Sequence, residues 1–375
     1  MIKRVTKQLS NGFMINQSKP HLLFVYPYQF GYHTDSYKYC EHLRDRFDIV
    51  YICFDQGFER LDLLEVNVYY MPYNTGKFKR LLHFYSFLIS LTWKEKIDVL
   101  FTVRFKYCFI IGLFAKARVK ILDYRSGDLR SNIFSRRFYN ILMRFDALFF
   151  PNISVISEGL RDILKLSKQH TLILPLGADL ISEQIRSFDR LDLIYVGTLS
   201  LRNIDQTIDG IAVFLSKHKE LSKLLSYTII GFGNQQEELG INSCIERTGL
   251  SDIVSFVGRK KYTDLSAYFD ICNVGVSYVP ITPYYQYQPV TKLFEYMLSG
   301  MPVIATGTYE NRMIVNEVNG VIVKDTSEDF CNGLMNIYNR RNSFNSSAIR
   351  KSVEDYTWEK IVNTSLKPYL FNLLH

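Results

Sequence analysis

The sequence predicts two doubly wound α/β domains, each a parallel sheet covered by helices. Two observations carry this. Short runs that are apolar on both faces and rich in β-branched or aromatic residues recur along the chain with helical stretches between them, and these runs form two successive series. A length of 375 residues also suits two domains better than one or three.

In the first series, residues 21–27, 48–54, 66–71, 98–103, 119–124 and 146–151 read as strands, each bounded by turn or charged residues. The second comprises 192–197, 227–231, 253–258, 273–279, 302–306 and 320–323, with helical runs at 204–217, 234–246 and 262–269. The polar stretch 177–190 lies between them and reads as a linker, giving domains 1–180 and 181–355 followed by a last segment, 356–375.

Composition excludes several classes. With 47% apolar and 22% charged residues the chain is expected to be folded and soluble. Its longest apolar runs, 81–93 and 107–115, fall well short of the roughly 20 residues a spanning helix needs. The first 20 residues are basic but have no apolar signal core, so the expected location is cytoplasmic. Six scattered cysteines without a Cys-x-x-Cys pair point to reduced, buried thiols, not to disulfides or zinc.

Charge is uneven: residues 1–180 carry +10 and residues 181–375 carry −2, counting Lys and Arg against Asp and Glu. No zinc-finger spacing, RNP-like strand or Lys/Arg block is present, which argues against nucleic acid as the anionic partner. An anionic membrane surface, at the inner face of the membrane, suits the pattern better. Lys77, Lys79 and Arg80 precede an aromatic and aliphatic run through Phe84, Leu88 and Trp93, and Arg130, Arg136, Arg137 and Arg144 punctuate a second such run. A core helix with a solvated basic end is the competing reading of residues 77–93.

Open α/β sheets bind ligands beyond the carboxyl ends of their strands. After the first strand of the second series come Gly197 and Thr198, with Arg202 near the next helix, and after the second comes the Gly231-x-Gly233 turn. A loop at 280–289 then leads into PVTKLFEYMLSGMPVIAT (289–306), where Thr291 is expected to cap a helix, Lys292 and Glu295 share a face, and Ser299-Gly300 ends it. A glutamate one turn inside such a helix can accept hydrogen bonds from paired hydroxyls, as on a ribose. The pair can equally be an exposed ion pair.

Four stretches, GTLSLRNID (197–205), TIIGFGNQQEEL (228–239), 254–280 and 289–306, stand in the order and spacing of the group 1 (family 4-like) nucleotide-sugar glycosyltransferases. The resemblance is good over 190–325, and weaker in LDYRSGDL (122–129), ISEGL (156–160), LPLGAD (174–179) and DYTWEKI (355–361). It implies the GT-B fold: two Rossmann-like domains facing across a cleft, with 356–375 as a helix crossing back to the first.

By the same resemblance, Glu295 matches the glutamate that binds the donor ribose, Arg202 the cation that meets the diphosphate with Lys292 as a second, and Gly231 and Gly233 the turn that admits the nucleotide. Gly197, Thr198, Val290 and Thr291 complete the donor side. The family often has a glutamate where this chain has Tyr287, and a basic residue where it has Thr198. The first domain is expected to supply the acceptor side through Gly31 and His33, with Asp123, Arg125 and Asp128 in place of the family's usual later histidine; His33 and Asp123 join Arg202 and Lys292 as catalytic candidates. His33 can also be read as an ordinary loop histidine.

The implied activity is retaining transfer of a sugar, of hexosyl type, from a nucleoside diphosphate sugar to a glycan or lipid-linked acceptor in surface polysaccharide assembly. No Asp-x-Asp occurs in the chain, and neither metal nor other cofactor is expected. The alternatives are another GT-B reaction, epimerising or inverting, and a catalytically weak binding homologue.

Overall fold

The computed structural model describes residues 19–73, 76–128 and 130–375; the basic start of the sequence lies mostly outside them. Among the described residues thirteen strands form two sheets. In the first, β1 (His21–Val25), β2 (Asp48–Asp55), β3 (Val66–Pro72), β4 (Val99–Val103), β5 (Val119–Tyr124), β6 (Asn152–Val155) and β7 (Thr171–Ile173) run in the order β3-β2-β1-β4-β5-β6-β7. In the second, β8 (Leu191–Thr198), β9 (Leu225–Phe232), β10 (Val254–Gly258), β11 (Val274–Ser277), β12 (Val303–Thr306) and β13 (Gly320–Val323) run in the order β10-β9-β8-β11-β12-β13. The central pairs are parallel, and strands such as β4 and β11 are buried at every position, as sheets covered on both faces require.

One expected strand is absent. Residues 146–151 finish the helix Ile133–Ala147 and turn into β6. Asp146 is buried and held by Arg104, while Phe145 and Phe149 pack on Phe109 at 5.3 and 5.5 Å. A run this rich in phenyl groups is apolar at either period, so its pattern does not decide between helix and strand.

By contacts the chain divides into two units. Residues up to Asp123, Phe145–Ser154 and Lys367–His375 form one, and Tyr124–Arg144 with Val155–Leu366 form the other. The stretch 177–190, expected as a linker, is packed into the second unit. Ala178 bridges Thr357, Arg186 donates to the carbonyls of Ser299 and Phe269, and Asn273 donates to those of Ser187 and Arg190. The final helix, Lys367–Leu374, belongs to the first unit: Phe371 lies 5.2 Å from Phe47, Lys367 pairs with Asp45, and Arg118 donates to the Leu374 carbonyl.

The helix Lys77–Lys94 corrects another expectation. Phe84 and Leu88 face the core, with Phe84 packed 4.7 Å from Phe54, and Trp93 alone of the three named is exposed. Among the described residues no helix is long and apolar enough to cross a membrane. All six cysteines are buried and unpaired.

Candidate active site

The second unit places its chemistry beyond the carboxyl ends of β8 and β9, beside the point where strand order reverses between β8 and β11. Gly197 and Gly231 sit opposite each other in register at these ends. A Cβ on Gly231 would lie 2.4 Å from the Gly197 carbonyl oxygen, so the close approach of the two strand ends requires glycine there. Gly197 has φ +150°, and a Cβ on it would meet the Lys292 amine at 3.3 Å.

The helix Thr291–Leu298 is fixed against β8 by Tyr296, fully buried, whose hydroxyl accepts from the Val196 amide at 2.8 Å. Gly275 makes room for this ring: a Cβ there would lie 2.4 Å from it. Tyr296→Phe leaves that amide without its partner and is expected to cost about 1–3 kcal/mol in denaturant unfolding. At its far end the helix closes as the sequence predicts, with Gly300 at φ +78° and the Met301 amide bonded to the Tyr296 carbonyl.

Its near end differs. Val290, not Thr291, is the cap residue, and its side chain makes no cap bond to the first amides of the helix.

Lys292 and Glu295 are both buried, which excludes the exposed pair. The Lys292 amine lies 3.7 Å over the Tyr195 ring and has no hydrogen-bond partner among the described residues. Burial holds its pKa well below the ordinary value, the Arg202 guanidinium adds to this, and Glu295 opposes it in part. Arg202 stacks 4.6 Å from the centre of the Tyr285 ring, and its Nη1 is likewise buried without a partner. Its neighbours Leu201 and Asn203 both have positive φ, +55° and +52°. Leucine rarely adopts that conformation, so the loop presenting Arg202 stores strain.

Glu295 is met by Tyr262. Tyr262 donates within 3.3 Å of its Oε1 and within 3.1 Å of Asp179 Oδ2. Burial, reinforced by the Asp179 carboxylate, pushes the Glu295 pKa up to about 7, while the Tyr262 bond and Lys292 pull it down. Tyr262 and Asp179 escaped the sequence reading as individual residues, although each lies inside a stretch that carried the resemblance.

The remaining donor-side expectations have structural occupations. Gly233 is crowded by Glu237, which forms a reciprocal capping box with Asn234 at the start of the helix Gln235–Thr248. The Thr198 hydroxyl accepts from the Ser200 amide, and its carbonyl accepts from the buried Tyr195 hydroxyl at 2.6 Å. Tyr287 packs over Gly159 and lies 5.1 Å from Tyr309.

In the first unit, His33 precedes the helix Thr34–Leu43 among the rings of Tyr26, Tyr28 and Tyr32, all within 5.1 Å, and burial lowers its pKa. Gly31 turns at φ +83° against Leu61. Asp123 is fully buried and accepts from Ser154 at 2.7 Å, so it offers no surface to an acceptor. In the second unit, Arg125 binds the Leu174 and Pro175 carbonyls, and Asp128 pairs with Arg130.

A cavity of about 520 Å³, not foreseen from the sequence, opens in the first unit beyond the ends of β1, β2 and β4, walled by Tyr28, Phe54, Tyr73 and Phe105 with Arg80 and Lys106. Among the described residues no group of three His, Cys, Asp or Glu is arranged to hold a metal ion.

Residues 190–340 match the family model described as glycosyl transferases group 1. No curated protein sequence matches the chain. Solved structures align along nearly its whole length. Sucrose-phosphate synthase from Thermosynechococcus elongatus is 15% identical with TM-score 0.72, covering 95% of this chain and 99% of its own. Anabaena Alr3699/HepE in complex with UDP is 14% identical with TM-score 0.72, covering 94% and 100%. The lipopolysaccharide outer core galactosyltransferase WaaB is 13% identical with TM-score 0.68, covering 93% and 99%. Residues 190–340 are thus a group 1 glycosyl transferase domain, set in a chain with the GT-B fold.

Proposed function

We propose that the protein is a retaining, metal-independent glycosyltransferase that moves a sugar from a nucleoside diphosphate sugar to a glycan or lipid-linked acceptor. One observation carries the donor half: the buried Lys292 amine and the Nη1 of the half-buried Arg202, neither with a hydrogen-bond partner among the described residues, lie by the glycine-lined strand ends. Buried charge without an anion is costly, and a diphosphate supplies the missing one. On this reading the two cations and the open helix start meet the charge that develops as the diphosphate departs. Glu295, one turn along, accepts from the ribose hydroxyls. The first unit's aromatic cavity, with Arg80 and Lys106, is the proposed acceptor side.

HepE has been seen with UDP-glucose, so a UDP-sugar is the first donor to try. Calorimetry with UDP-, GDP-, ADP- and dTDP-sugars is expected to find one binder. Glu295→Ala should weaken it by about 1.5–3 kcal/mol through loss of charge-assisted hydrogen bonds. Unchanged affinity in the variant removes Glu295 from the donor site. Turnover should survive EDTA; activity lost to chelator and restored by manganese refutes metal independence, and the anomeric configuration of the product decides between retention and inversion.

A further inference from the structure

The helix Ile133–Ala147 buries one face only. Met143, Asp146 and Ala147 lie inside, and the Met143 carbonyl accepts from the Tyr124 hydroxyl. On the opposite face Phe134, Phe138, Ile141 and Phe145, with Leu148 just past the last turn, recur at alternating spacings of four and three, which aligns them in a single stripe. These five are 76, 57, 58, 43 and 78% exposed. A soluble surface scatters such residues singly, whereas a continuous row calls for an occupant.

The flanks say which. Between 130 and 148 the charged residues are Arg130, Arg136, Arg137, Arg144 and Asp146; the one acid is buried against Arg104, and Arg130 is paired with Asp128, which leaves Arg136, Arg137 and Arg144. Arg136 and the half-buried Arg144 donate to main-chain carbonyls and neither has an acidic partner among the described residues, and Arg137 is exposed beside the stripe. A second copy of this chain laid on the same face would bring these like charges together. An anionic lipid surface complements them and accepts the apolar row between them.

We propose that this face docks on an anionic bilayer, with the Phe134 to Leu148 stripe in the headgroup region and the arginines against lipid phosphates. Docking here is independent of the donor site and is measured without nucleotide sugar. The full chain is sedimented with neutral phosphatidylcholine vesicles and with vesicles containing about a third phosphatidylglycerol, at low and high salt. Binding is expected only to the anionic vesicles and should fall as salt rises. The pair Phe138→Ser and Ile141→Ser should reduce it at least tenfold with an unchanged thermal midpoint, and Arg137→Glu, an exposed single change, should reduce it severalfold. Binding untouched by both variants, equal binding to both vesicles, or a solution dimer that Phe138→Ser and Ile141→Ser dissolve would each overturn the proposal.

Discussion

Replacing Lys292 by methionine should raise the thermal midpoint of the unliganded protein and at the same time abolish useful turnover. The amine is buried over the Tyr195 ring with no hydrogen-bond partner among the described residues, next to a second cation, Arg202. Methionine fills nearly the same volume without a charge to desolvate, and exchanging a poorly compensated buried charge for packed apolar groups stabilises by about 1–3 kcal/mol. Stabilisation of departing negative charge by a fixed cation accounts for about 10²–10³ in turnover. Opposite signs on stability and activity are what a residue kept for binding produces. Differential scanning fluorimetry and a transfer assay check both. Destabilisation with donor affinity intact makes Lys292 a structural residue and refutes the diphosphate assignment.

The second large effect is a pH dependence centred on Glu295. Its carboxyl, raised to about 7 from 4.5, holds a proton in the folded protein that the unfolded chain releases between those values. The sign follows: stability from this group is fully present below 4.5 and is lost as pH rises through about 7, a change of about 3 kcal/mol. Ligand affinity should run the opposite way. Only the ionised carboxylate accepts from two ribose hydroxyls, so affinity is expected to rise about tenfold per pH unit below 7 and level off above it. Glu295→Gln removes both trends. A nucleoside diphosphate sugar is esterified at both ends of its diphosphate and has no terminal phosphate to titrate in this range, so the difference between the wild-type and variant titrations isolates the carboxyl. Parallel pH profiles for the two proteins would exclude Glu295 as the titrating group.

The strands of the second sheet were legible because each is short, apolar on both faces and closed by glycine, aspartate or proline, punctuation that leaves little choice of period. The same holds for the helix that ends at Ser299-Gly300. What the sequence hid depends on three dimensions. Asp179 and Tyr262 are 83 residues apart and meet only after folding. Lys292 and Glu295 looked like a surface pair because spacing shows which helix face two residues share, not whether that face is covered. Phe84 and Phe138 sit in similar basic aromatic runs, yet one is in the core and the other is exposed. The stretch 177–190 has a linker's composition, but its arginine and neighbouring backbone satisfy carbonyls and amides of the second unit.

The division of the chain into units also constrains how it is made. The first unit takes in Lys367–His375 as well as residues up to Asp123, and the second begins at Tyr124, before the first has all its parts. On a ribosome adding roughly 5–20 residues per second, the sheet that emerges first waits about ten to forty seconds after Ser154 for the helix that covers Phe47. During that interval the apolar patch around Phe47 is left uncovered, and the second unit has all its residues before the first does. Release of nascent chains stalled short of residue 367 should therefore yield a first half that proteases cut and a donor half that they spare.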